Sequence, residues 1–220
     1  MEERKKEVLR YLGYGNKEAE KPVMEMISSC LEELEAIISP VQISREYPLK
    51  LLPDNEIDGG CFFTKSSDLS RSLQGCGSIL LFAATLGIGA DYLIHKYSRI
   101  QMSRAVVLQA AGAALIEEYC NASCKRIAEE YKSRRLYLRP RFSPGYGDFS
   151  LSCQPDILNA LEAGKRIGIK LTDSFLMMPS KSVSAVIGIS NRSRHCPVNG
   201  CETCEKTNCL YRCQTEEKMT

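Results

Sequence analysis

Tryptophan is absent from this 220-residue chain, and aromatic residues of every kind make up 7%. A surface that stacks bases needs such rings. The net charge of +2 is too small to draw in nucleic acid or an anionic membrane. Histidine is scarce too, with only His95 and His195. Neither stands in H-E-x-x-H, and the chain has no Walker loop and no G-x-S-x-G elbow. His95, in the helical stretch YLIHKYSR, has no acid at a suggestive spacing and reads as an ordinary helical histidine. A long uninterrupted apolar run is also missing. The nearest approach, GSILLFAATLGIGADYLI from Gly77 to Ile94, carries an acid and three glycines. It reads as a buried strand followed by the start of a helix, not as a membrane span. The N-terminus, MEERKKEVLR, is charged from its second residue and has no signal-peptide core. The expected location is the cytoplasm.

What remains is a composition suited to a packed core, with 44% hydrophobic and 25% charged residues. Val8, Leu9 and Leu12 share a helical face over residues 3–12, and Gly13 and Gly15 end that helix. A second helix is expected from about Glu20 to Ile38, with Pro22 in its first turn and Pro40 beyond its end. Residues 41–53 suit one or two short strands interrupted by Pro48 and Pro53, and a short helix is expected near Ser66–Leu73. Ser78–Thr85 has the pattern of a strand buried on both faces. Gly87–Arg99 and Ser103–Ser133 are expected to be helical. The second carries a small-residue stripe (Ala105, Leu108, Gly112, Leu115, Ile116) suited to close packing on a sheet. Pro155–Gly164 suits a short helix, Ile167–Leu171 an extended piece, and Ser182–Ser190 a strand. Helices first and mixed elements afterwards point to an α+β fold. The expected division is residues 1–75 as a helical and mixed region, 76–192 as the main core, and 193–220 as a cysteine-rich tail.

Eleven cysteines in a reducing compartment are thiols or metal ligands before they are disulfides. Cys120 and Cys124, one helical turn apart, read as small buried hydrophobes. The tail differs. HCPVNGCETCEKTNCLYRC places Cys196, Cys201, Cys204, Cys209 and Cys213 within a segment that has few other apolar residues. Such a segment gains order by binding a metal. The spacing of the first three matches the opening of plant-type [2Fe–2S] sites, and four thiolates suit zinc equally well. A flexible thiol-rich tail is the plainer alternative.

Two glycine-bearing turns stand out. TLGIGADY (Thr85–Tyr92) follows a strand and opens a helix, but Tyr92 stands where a dinucleotide fingerprint needs its third glycine. It reads as a tight turn. RFSPGYGD (Arg141–Asp148) is also a turn, because Pro144 fixes φ and Gly145 and Gly147 allow positive φ. It adds the planar donor fork of Arg141 and the flat ring of Tyr146. That set suits a ligand bearing a carboxylate together with an adenine or ribose.

R-x-x-x-G-Y (Arg141, Gly145, Tyr146) resembles the S-adenosylmethionine-binding motif of the reactivation domain of cobalamin-dependent methionine synthase. Downstream, GIKLTDSFLMMPSKSVSAVIGIS (Gly168–Ser190) resembles the same domain's G-x-K-L-T-[ED]-S-x-x-M-x-P-x-x-S-V-S-G run. The resemblance covers about residues 77–190. It implies helices around a twisted, mainly antiparallel sheet. It also implies a shallow S-adenosylmethionine groove and docking onto a cobalamin-carrying protein, whose inactive Co(II) form is methylated with an electron from a flavodoxin or ferredoxin-like donor. By that resemblance Arg141 holds the methionine carboxylate, while Tyr146, Gly145 and Pro144 shape the pocket. Glu117 of AALIEEY is the match for the acidic ligand of the amino group, with Glu118 an alternative one residue away. The family's N-terminal aspartate contact finds no counterpart.

The chain departs from that pattern in three places. Gly147 follows Gly-Tyr where the fused enzyme has proline, which predicts a more mobile loop. Ala185 replaces the glycine of S-V-S-G. No D-x-H-x-x-G cobalamin sequence surrounds either histidine, so the corrinoid is expected on a partner: a methionine synthase or another corrinoid methyltransferase. The lack of acid–base groups and the thiol tail leave a non-catalytic S-adenosylmethionine- or metal-binding scaffold as the competing expectation.

Overall fold

A computed structural model describes residues 2–15 and 17–192. Along the chain come α1 (Glu2–Tyr11), α2 (Lys21–Glu35), β1 (Val41–Pro48), β2 (Lys50–Leu51), β3 (Glu56–Asp58), β4 (Phe63–Lys65), α3 (Ser67–Leu73) and β5 (Ser78–Thr85). They are followed by α4 (Ile88–Ile100), α5 (Met102–Ser133), β6 (Tyr137–Leu138), α6 (Gln154–Ala160), α7 (Ala163–Arg166), β7 (Lys170–Leu171), β8 (Met177–Met178) and β9 (Ser182–Ser190). The mixture is α+β, as the order of the sequence patterns implies.

The organising element is a four-stranded antiparallel sheet in the order β1-β5-β9-β6. β5 and β9 are central, and both are buried along nearly their whole length. That explains their continuous apolar runs, since a strand covered on both faces has no solvent side to mark with polar residues. β1 pairs with β5 from Val41–Thr85 to Pro48–Ser78, so residues before position 75 supply one strand of the same sheet. Alternation along β5 splits the core in two. Leu80, Phe82 and Ala84 face a layer built by α1, α2, α4 and α5, while Ile79, Leu81 and Ala83 face α3, α6, α7 and the segment around Phe149.

Local chemistry accounts for the element ends. Pro22 enters the first turn of α2, where a missing N–H costs nothing. Ser66 caps α3 by accepting a hydrogen bond from Leu69 N at 3.0 Å. The small-residue stripe of α5 does more than the sequence predicts. This helix packs against α1, α2 and α4 as well as against β5 and β9. Gly112 lies beneath the Lys181 stem, where an added Cβ would come within 3.0 Å of it. Among the described residues no helix is long and apolar enough to cross a membrane. The tail cysteines Cys196, Cys201, Cys204, Cys209 and Cys213, and also His195, lie outside the described residues.

Candidate functional site

The two stretches singled out in the sequence meet at the outer edge of β9. Beyond β6 the chain keeps company with β9: Arg139 N donates to Gly188 O at 2.8 Å. Phe142 exchanges both backbone hydrogen bonds with Val186, at 2.9 and 2.8 Å. Arg141 is therefore carried alongside the S-V-S-A-V strand by main-chain pairing. At the other end of that second stretch, Gln154 is buried. Its Nε2 donates to Phe175 O at 2.7 Å, and its Oε1 accepts from Ser184 Oγ at 3.3 Å. The T-D-S-F turn is thereby tied to β9.

Arg141 reaches across to α5. Its Nη2 donates to Glu117 Oε2 and to Asn121 Oδ1, each at 2.8 Å. The guanidinium side chain is 17% exposed and the Glu117 side chain 43%, so the pair sits at a surface with one buried side. Nη1 is buried without a hydrogen-bond partner among the described residues. Such a group retains unused capacity for an acceptor. Glu118 points elsewhere: Arg4 of α1 donates to it through Nε at 2.5 Å and Nη2 at 2.7 Å. Of the two neighbouring glutamates, Glu117 is the one that faces Arg141. Helical spacing from Glu117 leads directly to Asn121, a partner of Arg141 that the sequence reading passed over.

Cys120 and Cys124 belong to the same environment. Burial pushes the Cys120 thiol up to about 12 and raises that of Cys124, and the nearby Arg141 charge works against both shifts. At neutral pH both are uncharged; Cys120 is buried as the sequence reading expects, whereas Cys124 is only partly buried.

The loop of Arg141–Asp148 is a compact, internally bonded turn. Gly145 N donates to Phe149 O at 2.8 Å, Tyr146 N to Ser143 O at 3.1 Å and Phe149 N to Tyr146 O at 3.0 Å. The amides of Gly145 and Tyr146 and the carbonyl oxygens of Ser143 and Tyr146 are thus spent within the turn. Pro144 is buried and holds the bend. Tyr146 is 70% exposed, with its ring edge-on to Phe142. Gly145 and Gly147 both take positive φ, at 87° and 53°. Asp68 lies where a Cβ on Gly147 would fall. The glycine that replaces proline is therefore required by backbone shape, since proline is confined to negative φ. The predicted extra mobility is opposed by these bonds and by the carboxylate of Asp148, which is bonded to the start of α3.

The other glycine-bearing turn is structural. Gly87 caps α4 with φ at 81°, and a Cβ on Gly89 would run into the carbonyl oxygen of Ile37. Asp91, in the first turn of α4, accepts from Ser180 N at 2.7 Å and from Ser180 Oγ. His95 is exposed. A cleft of about 370 Å³ lies at the Ser78–Ile189 end of the sheet, lined in part by Cys76 and Leu136. Arg141 and Tyr146 do not line it, so convergent chemistry, and not volume, marks the candidate site. No group of three or more potential metal ligands comes together among the described residues.

A family described as the activation domain of vitamin B12-dependent methionine synthase matches residues 72–209. The chain belongs to this family. The match enters the cysteine-bearing segment, further than the stretch of resemblance read from the motifs. Among solved structures, the MetH reactivation domain bound to AdoHcy shares the fold of this activation-domain protein. The two are 18% identical, the TM-score is 0.58, and the likeness covers 88% of this chain and 78% of that one. A likeness that leaves out only about an eighth of the chain takes in most of the first 75 residues as well. No match is found among curated proteins.

Proposed function

We propose that this activation-domain protein binds S-adenosylmethionine beside Arg141, Glu117 and Tyr146 and delivers its methyl group to cob(II)alamin held by a partner. The partner is a cobalamin-dependent methionine synthase or a related corrinoid protein, and the delivery returns it to its active form. The observation that supports this most directly is the ion pair between Arg141, the first residue of the glycine-bearing loop, and Glu117. An α-amino acid zwitterion is complementary to such a pair. Its carboxylate meets the guanidinium, including the unpartnered Nη1, and its ammonium meets Glu117. Tyr146 then faces the nucleoside, and the half-exposed position leaves the sulfonium methyl open to a docked protein.

S-adenosylmethionine supplies an electrophilic methyl, which passes to the cobalt of the partner's cobalamin once a flavodoxin or ferredoxin-like donor has added one electron. Sulfur keeps the bonding pair and S-adenosylhomocysteine departs. No proton moves in that exchange, so the chain's residues bind and orient and need supply no general acid or base. Cys196, Cys201, Cys204, Cys209 and Cys213 are read as ligands for an iron–sulfur cluster or zinc, with an electron-relay role in the iron–sulfur case.

Titration calorimetry with S-adenosylmethionine is the first test. Saturable binding by the wild type and its loss in Arg141→Ala are expected, and no binding by the wild type sinks the reading. Transfer of labelled methyl to a reduced corrinoid partner is the second. Anaerobic reconstitution with iron and sulfide that yields no charge-transfer absorbance, beside a stable zinc content, removes the electron-relay role.

A further inference from the structure

Asp148, the last residue of the glycine-bearing loop, resembles nothing in the family motif quoted above and carries no role in the proposed chemistry. Its carboxylate nevertheless gathers four hydrogen-bond donors. One carboxylate accepts from Ser66 Oγ, from Ser67 N at 2.7 Å, from Ser67 Oγ at 2.8 Å and from Asp68 N at 3.1 Å. These donors gather at the start of α3, 80 to 82 residues earlier in the chain. They hold the carboxyl far below its usual range, with the Ser66 hydroxyl the largest cause.

Besides the bonds of Arg141 to α5 at its start, the loop has three attachments. Phe142 is hydrogen-bonded to β9, and Phe149 is 1% exposed and packs with its ring 5.9 Å from that of Phe62. Asp148 supplies the third, a polar side-chain tether between the loop's tip and the start of α3. It stands two residues from Tyr146, across Gly147, which takes positive φ and where an added Cβ would run into the Asp68 carboxylate of α3. Two aromatic anchors fix where the loop begins and ends. Neither sets the twist of Gly145–Gly147, where glycines leave the backbone free.

We infer that Asp148 is the positioning residue of the S-adenosylmethionine loop, clamping it to α3 so that Tyr146, two residues away, is held in one place for the ligand. The inference rests on the proposed binding site, but the clamp itself can be tested without a ligand. In Asp148→Asn the charge is lost and the four-donor arrangement cannot be matched. Ser67→Ala removes a single hydroxyl that, among the described residues, bonds to Asp148, and it spares the Ser66 cap of α3, so it guards against a folding defect in the first variant.

Hydrogen–deuterium exchange on the ligand-free proteins should show faster exchange confined to residues 143–149 in Asp148→Asn, with a smaller change in Ser67→Ala and unchanged protection of β5 and β9. Calorimetry far below the melting temperature should show S-adenosylmethionine affinity weakened by about tenfold in the first and by less in the second. Unchanged exchange in 143–149 overturns the clamp whatever the ligand does. Faster local exchange with wild-type affinity overturns the positioning role and leaves the binding site standing. A wild type that binds no S-adenosylmethionine defeats the proposed site, a result distinct from both.

Discussion

The two glycine-bearing turns of this protein, Thr85–Tyr92 and Arg141–Asp148, look alike in composition and differ in what surrounds them. Both use glycine at positive φ, and both carry an aspartate that bonds to a serine far away in the chain. In the first, Gly89 makes room for the backbone at Ile37 and Asp91 is bonded to Ser180, while Ile88 and Tyr92 stand exposed. In the second, the loop begins at a cation paired with a carboxylate of α5 and carries a largely exposed ring. Glycine permits a bend in either case. The charged partners delivered by neighbouring elements separate a structural turn from a candidate binding loop.

Breaking that contrast at its strongest point means removing Arg141. Arg141→Ala should lower affinity for S-adenosylmethionine by about a hundredfold or more, as expected for loss of a charge-assisted, partly buried contact. Its melting temperature should stay near that of the wild type, as calorimetry and thermal denaturation can check together. The converse change is Gly89→Val, which drives a side chain into the Ile37 carbonyl. It should cost about 2–3 kcal/mol in urea unfolding, with affinity of the folded fraction within about twofold of wild type.

The neighbouring glutamates sharpen the comparison at the level of one residue. Glu117→Gln should weaken S-adenosylmethionine binding by about tenfold. Glu118→Gln, which loses only its exposed pair with Arg4, should leave binding alone and cost under about 1 kcal/mol of stability. The smallest expected effect is pH-dependent. The folded carboxyl of Asp148 titrates below its unfolded value, so its contribution to stability is complete above about pH 4. That contribution is lost as the pH falls toward the folded value. The stability gap between wild type and Asp148→Asn should accordingly be wider at pH 7 than at pH 3, read from urea midpoints.

Much of this was legible without coordinates, for identifiable reasons. Ser78–Thr85 and Ser182–Ser190 appear as strands at the expected limits because strands covered on both faces must be apolar throughout. The short helix expected near Ser66–Leu73 is present at Ser67–Leu73, and the structure adds the Ser66 cap that starts it. The two- and three-residue strands Glu56–Asp58, Phe63–Lys65, Tyr137–Leu138 and Met177–Met178 were not legible. A segment that short has no period to read, and only its partner strand makes it extended. The same holds at the site: Arg141 and Tyr146 stood out by motif, whereas Asn121 and Asp148 did not.

By itself the sequence determined the elements whose cause is local: glycine and proline at the bends, the caps, the buried strands and the motif that ties the chain to its family. Which glutamate faces Arg141, which turn is left with open chemistry and which distant helix holds the loop were decided only by the tertiary structure. Those outcomes depend on pairings between groups far apart in the chain, such as Arg141 with Glu117 and Asp148 with Ser67. A hydrogen bond or ion pair of that kind has no local signature. It exists because β9 and α3 have already been brought to their places by the burial of the two cores.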